Sequence, residues 1–222
     1  MNWSLSKLGT FTKCRRRFLY SYLQNLQGTP QPSAAHHRGL AQHKIIEDYF
    51  AGLRSDLPID LLKYKAWFDM LRELDFFQEN KLAMLEGWLP TTFDDPKAWW
   101  KGILDLKVLR NGKAWVFDWK TGKVYPDHED QKELYTIATF VEHPEVDEVE
   151  AWHIYLDLQG KDTKKIYIRD QLPVLIAKWN AKLVPYMQAL DMYSKENAES
   201  FFVTNPSYLC DYCPFSRNPC PH

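Results

Sequence analysis

The chain has 222 residues, 45% hydrophobic and 15% aromatic, with 28 Lys and Arg against 29 Asp and Glu for a net charge of −1. Such a composition excludes wholesale disorder, and no apolar run of about 18 residues is present to form a transmembrane helix. The N-terminal stretch lacks a signal-peptide pattern, so a cytoplasmic chain without a membrane partner is expected, folded as a single domain over 1–222.

The near-zero net charge hides an asymmetry. Residues 1–44 carry seven Lys or Arg and no Asp or Glu, whereas residues 127–150 carry nine acids, from Asp127 to Glu150, and one Lys. A polyanion would meet the first region and avoid the second.

Taken in chain order, "SLSKLGTFTKCRRRFLYSYL" predicts one helix capped by Ser4 and broken by the prolines of "GTPQPS". A second helix is expected from Ala34 to Phe50, and a third through "PIDLLKYKAWFDMLRELDFF". The period then changes to two. "KLAMLEGWLPTTF", "AWWKGILDLKVLR" and "KAWVFDWKT" predict three strands, the last two joined at Asn111-Gly112, a strong hairpin signal. An acid-capped helix, "DHEDQKELYTIATFVEH", follows. Two further strands, "VEAWHIYLDL" and "KKIYIRD", flank the turn "QGKD". A long helix closes the order, ahead of a tail rich in Pro and Cys. The pattern fits an α/β or α+β sandwich with a mixed sheet.

Strand side chains repeat every two residues, so "VFDWK" points Asp118 and Lys120 to one face. Asp105, in "GILDLKV", lies on the neighbouring strand. Two carboxylates on adjacent strands can converge on a divalent ion such as Mg²⁺, and a lysine beside them can hold a water or stabilise charge on a phosphate. An ordinary salt bridge is the plainer alternative. His43, four residues after Gly39 on one helical face, can add an imidazole. Gln131 and Tyr135 are one turn apart on the acidic helix. Glu86 sits near the end of the strand before the hairpin.

Four cysteines remain, Cys14 and the C-x₂-C-x₆-C group Cys210, Cys213 and Cys220. In a cytoplasmic setting a metal or a cluster is preferred to a disulfide, and the spacing leaves zinc and iron–sulfur both open. No phosphate-binding Gly-x₄-Gly-Lys-Ser/Thr loop is present, so no ATPase motor is expected.

The order Gly39-x₃-His43, Glu86, Gly102-x₂-Asp105, Asp118-x-Lys120-Thr121-Gly122 and Gln131-x₃-Tyr135 resembles the RecB-like branch of the PD-(D/E)XK nucleases, over roughly residues 36–140. The resemblance implies a restriction-endonuclease-like core, a mixed central sheet flanked by helices, in a nuclease that cuts DNA with Mg²⁺ or Mn²⁺. It implies His43, Asp105, Asp118 and the Trp119 carbonyl as metal ligands, with Asp105, Asp118 and Lys120 catalytic. Gln131, Tyr135 and Glu86 would support the site or touch DNA. The split cysteine set resembles the iron–sulfur subgroup that includes AddB and the CRISPR-associated exonucleases. This implies a [4Fe–4S] cluster, with zinc as the alternative, in a subregion formed by 1–33 and 200–222 that joins the chain ends around a nuclease core of 34–199.

Such a clamp would set Arg15, Arg16 and Arg17 beside Tyr208, Tyr212 and Phe215, a mixture that suits single-stranded DNA, although the rings could equally shield the cluster. The expected activity is a single-strand DNA exonuclease processing ends in recombination, repair or CRISPR spacer acquisition, in a prokaryotic or phage-infected cell. A non-cutting DNA-binding module is the alternative. A protein partner or a homo-oligomer is open, with residues 142–150 as a docking face.

Overall fold

A computed structural model describes residues 1–29, 34–125, 128–158 and 161–222. Pro30, Pro32, Asp127 and the Gln159-Gly160 turn therefore lie outside the described residues. The chain divides into two compact units, one formed by Met1–Asn2 and Ala34–Ile176, the other by Trp3–Ser33 and Ala177–His222. Residues 177–199 thus group with the chain ends rather than with the sheet.

The first unit is a mixed α/β fold. Helices α3 (Ala34–Phe50) and α4 (Lys65–Arg72) precede β1 (Asp75–Leu85), β2 (Leu89–Thr91), β3 (Trp100–Arg110) and β4 (Lys113–Lys120). Helix α5 (His128–Glu142) then leads to β5 (Glu148–Tyr155) and β6 (Thr163–Ile168). The six strands lie in the order β2-β1-β3-β4-β5-β6. Only β4 and β5 pair in parallel, and α5 provides the crossover that a parallel pair requires. The β3–β4 turn places Asn111 and Gly112 at φ +50° and +75°, the left-handed pair that a two-residue hairpin needs.

Alternation sorts β4 into two faces. Trp115, Phe117 and Trp119 join the cluster built on Tyr49, Phe50, Phe68 and Leu71 of α3 and α4. Phe68 is fully buried among the rings of Tyr49, Phe50, Tyr64, Trp67 and Trp119, with centroids 5.3–6.2 Å away. Asp118 and Lys120 point the other way. Helix α5 is buried continuously from Lys132 to Phe140.

In the second unit Ser4 caps α1 (Leu5–Lys13), its hydroxyl accepting from the Lys7 amide at 3.3 Å. Helix α2 (Arg15–Phe18) and a π-helical turn, Leu19–Leu23, follow. Helix α6 (Leu172–Asp191) enters this unit at Ala177, and α7 (Ala198–Phe201) precedes the tail. Phe11, Phe18, Tyr186 and Phe202 form its aromatic centre.

Four expectations change. The strand expected over 81–93 is broken at Gly87 and Trp88, whose φ of +83° and +63° turn the chain, so β1 ends at Leu85 and β2 pairs back on it. The first helix is interrupted, because Cys14 is extended at φ −159° and separates α1 from α2. The third ends at Arg72, and Asp75 to Phe77 belong to β1, where pairing with Val108 and its neighbours overrides local helix propensity. The last helix stops at Asp191, and only a short segment of its predicted continuation, α7, is helical.

Replacing Phe68 by Ala is expected to lower unfolding stability by about 3–5 kcal/mol, read as a urea midpoint shift, because no neighbouring ring can collapse into the space.

Candidate active site

The site begins where the β3–β4 ladder stops. Backbone pairing runs as far as Leu106 and Phe117. Beyond it the Trp119 amide donates to Asp105 Oδ2 at 2.6 Å, so a side chain replaces the next main-chain acceptor. Asp105 Oδ1 lies 3.4 Å from His43 Nδ1. The imidazole also donates to the Trp119 carbonyl. Burial would lower the basicity of His43, but the hydrogen bond and charge of Asp105, with Asp118 and that carbonyl, raise it overall. Helix α3 comes close at Gly39, where a Cβ would meet Thr121 Oγ1 at 2.8 Å.

Asp118 is 4% exposed. Its carboxyl is pushed up to about 7, first by burial and then by the charge of Asp105, against the opposing pull of Lys120 and His43. Lys120 Nζ is 2.5 Å from Asp118 Oδ2. With three N–H donors, the ammonium also donates to Gln131 Oε1 at 2.5 Å, so Lys120 bridges the carboxylate and the amide. Gln131 Nε2 donates to Asp118 Oδ1 at 2.6 Å and to the Tyr135 hydroxyl at 2.8 Å, and that hydroxyl donates to the Ile103 carbonyl. Gly102 beside this bond makes room for the Trp100 ring, which a Cβ there would meet at 2.8 Å. Burial, followed by the charge of Asp118, raises the Tyr135 hydroxyl well above its ordinary range, so it remains a neutral donor.

His43, Asp105, Asp118, Trp119, Lys120, Gln131 and Tyr135 are therefore brought together. Glu86 is not. It occupies the exposed turn between β1 and β2, seven residues beyond the point where β1 passes Asp105, or about 23 Å of extended strand.

The acid that does reach Asp105 is Glu79. It stands opposite Asp105 between the pairs Gln78–Leu106 and Asn80–Leu104, with φ +45°. Burial and then the charges of Asp105 and Glu47 raise its carboxyl. Sequence reasoning missed it because the preceding segment reads as helix and no local alternation marks Phe76 to Lys81 as strand. His153, cross-strand from Asp118, was also missed. It is 1% exposed, neither ring nitrogen has a hydrogen-bond partner among the described residues, and burial, then Lys120 and Lys132, hold its pKa down to about 2.

In the second unit Cys14, Cys210, Cys213 and Cys220 line one small pocket of about 40 Å³, and none forms a disulfide. The Ser207 amide donates to Cys210 Sγ at 3.5 Å. Among the described residues, however, no group of three or more His, Cys, Asp or Glu is gathered closely enough to hold a metal ion. The expected four-cysteine junction is thus present as a shared pocket and not as a formed ligand sphere.

The three arginines differ. Arg16 is committed within its unit, to Glu199 at 2.7 Å and to the Phe202 carbonyl at 2.7 Å. Arg15 lies over the Phe11 ring at 5.0 Å, and Arg17 lines the cysteine pocket. Phe215 is buried against Tyr20, whereas Tyr208 and Tyr212 are exposed.

A mixed sheet that splays to present buried carboxylates and a lysine beside a crossover helix defines a class of phosphodiester-cleaving folds. A family model for the PD-(D/E)XK nuclease superfamily matches residues 2–221, and the chain belongs to that superfamily. The sequence matches no curated protein. Among solved structures, the "Putative exonuclease" from Eubacterium rectale shares 12% identity at TM-score 0.50, covering 96% of this chain and 86% of that one. SSO0001 shares 14% at 0.47, covering 99% and 86%. The alkaline exonuclease LHK-Exo from Laribacter hongkongensis shares 14% at 0.47, covering 86% and 88%. Among the described residues, no helix is long and apolar enough to cross a membrane.

The raised Asp118 carboxyl fixes the sign of a pH effect. Between about pH 4 and 7 the folded chain retains a proton that the unfolded chain has lost, so this group's contribution to stability falls as pH rises. Asp118→Asn in chelator-treated protein is expected to flatten that slope and to exceed wild-type stability at pH 8 by on the order of 2 kcal/mol. Urea midpoints at pH 5 and 8 provide the check.

Proposed function

We propose that the chain is a divalent-metal-dependent deoxyribonuclease of the RecB-like type, an exonuclease acting on single-stranded DNA or DNA ends. Recombination, repair or spacer acquisition would be its setting. The observation that carries this reading is the buried Asp118–Lys120–Gln131–Tyr135 chain beside Asp105 and His43. A structural salt bridge needs neither a second carboxylate nor an amide holding both partners. The name of the Eubacterium rectale structure points the same way, through fold alone.

The donor set fits a hard cation: the buried carboxylate of Asp118 and the half-buried one of Asp105, which repel each other, with an imidazole and a main-chain carbonyl near them. His43, Asp105, Asp118 and the Trp119 carbonyl would hold Mg²⁺ or Mn²⁺, which supplies charge neutralisation and a more acidic water. The chain's own residues do the remaining work. Lys120, released from Asp118, carries its charge to the scissile phosphate or orients the attacking water. Gln131 holds Lys120 against Asp118 and is itself held by Tyr135, which α5 and the Ile103 carbonyl keep in place. Glu79 adds negative charge beside Asp105, and neutral His153 leaves the positive charge at the site to Lys120.

The four cysteines are proposed to hold a [4Fe–4S] cluster. Their convergence on one pocket, and an amide directed at a sulfur, support it. Cys213→Ser should lose the brown colour and the roughly four iron atoms of anaerobically purified protein. Colourless wild-type protein with stoichiometric zinc would replace the cluster by zinc.

The test of activity is digestion of end-labelled single-stranded DNA with Mg²⁺ or Mn²⁺. Lys120→Ala should lower the rate by at least about a hundred-fold. Equal rates in wild type and variant would place the chemistry elsewhere, and binding without cutting by the wild type would favour the non-cutting module.

A further inference from the structure

The sheet face opposite Asp118 and Lys120 carries a feature that the catalytic reading does not use. Helix α4 and strands β4 and β5 enclose an open pocket of about 500 Å³. Its walls are rings: Tyr64 and Trp67 from the helical side, Trp115 and Phe117 from β4, and Trp152 from β5. Phe117 and Trp152 stack with centroids 6.5 Å apart and planes inclined by 29°, and Trp67 meets Phe117 edge-on at 5.2 Å. Trp67, Trp115 and Trp152 remain partly accessible. An accessible tryptophan group of this size is costly to leave in water unless something covers it.

The charges around the rings select the occupant. Arg110 lines the pocket, is exposed, and has no ion pair among the described residues. Lys164 lies over the Trp152 ring at 5.0 Å, and Lys63 over Tyr64 at 4.7 Å. Among the described residues Lys164 is ion-paired to Glu150, at 3.9 Å, a pairing weak enough to be exchanged. The carboxylate in the lining, Asp162, accepts from the Tyr155 amide at 2.8 Å. The Trp152 indole nitrogen is buried without an acceptor. The three cations at the rim face two carboxylates, Asp162 and Glu150, that are already engaged, so the rim leaves Arg110 to meet an anionic group. Such a pocket suits a flat, polar ring attached to an anion.

We propose that this pocket receives an unpaired nucleobase of single-stranded DNA, stacked against Trp67 and Trp152, with Arg110 and Lys164 meeting the flanking phosphates. A duplex cannot offer a free base face, so the pocket would favour an unpaired segment of the strand. The inference deepens the nuclease reading by naming a binding site for the strand, and it rests on that reading for its purpose.

The test is binding of a fluorescein-labelled oligo(dT) to the full chain in chelator, read by anisotropy and by quenching of tryptophan fluorescence. Metal-dependent digestion of the same strand is followed separately. Wild type should bind with quenching. Arg110→Ala and Trp67→Leu should each weaken the Kd by about ten-fold, from the loss of a phosphate contact or one stacking partner. If Trp67→Leu fails to fold, Arg110→Ala and Lys164→Ala, both surface changes, decide the matter. Wild-type Kd in these variants, or binding without quenching, overturns the proposal whether or not the chain cuts DNA. Variants that bind normally but change the elution volume on gel filtration also overturn it, and would assign the pocket to a second copy of the chain. Conversely, quenched binding lost in the variants, with no digestion by wild type, sustains the pocket and removes the nuclease reading.

Discussion

The hydrogen bond from the Trp119 amide to Asp105 Oδ2 organises the site. Two antiparallel strands that continued to pair through their backbones would present carbonyls and amides to each other and leave no opening. By substituting a carboxylate for the next carbonyl, β3 and β4 separate without orphaning the amide. The Asp105 side chain is held between the strands, its second oxygen turned toward His43. Because the amide and carbonyl of a strand residue point the same way, the Trp119 carbonyl faces that opening too. One side-chain acceptor in a ladder thus sets the position of the imidazole, the carbonyl and both carboxylates.

Electrostatics sets the balance within the arrangement. Asp105 and Asp118 repel each other in a desolvated space, and neither burial nor mutual charge favours ionisation of the second carboxyl. Lys120 offsets this by pairing with Asp118, while Gln131 binds both members of the pair. Under the proposed function the lysine would have two partners that compete, a carboxylate at rest and a phosphate when substrate arrives. A cation drawn to the carboxylates would shift that competition toward the phosphate, so that ion binding and lysine release become linked events.

Legibility from sequence followed physical range. Alternation made β4 readable, since Trp115, Phe117 and Trp119 bury one face whatever the fold, and Asn111-Gly112 announced its turn. The helical spacing of Gln131 and Tyr135 carried directly into three dimensions. What failed was non-local. Phe76 and Phe77 have the apolar density of a helix end, and only pairing with β3 draws them into a strand. Glu86 and Glu79 are both acids near one strand, but register alone decides which of them meets Asp105. Arg16 reads as a free cation in a basic run, yet Glu199 and the Phe202 carbonyl, distant in sequence, engage it. The extended backbone at Cys14 likewise has no local cause; it is imposed where the chain turns into the cysteine pocket.

The strict two-face character of β4 has a consequence for how this chain can vary. From Trp115 its odd positions face the aromatic cluster, while the even positions end in the charged pair Asp118 and Lys120, so the strand works as a two-letter frame. Deleting a single residue between Lys113 and Asp118 would move Trp119 among the carboxylates and bury Lys120 among tryptophans, inverting both surfaces at once. Substitutions along the strand can be absorbed one at a time, whereas a shift of frame cannot. Length variation among related chains should therefore collect at the turns on either side of β4 and leave the strand itself unaltered in length.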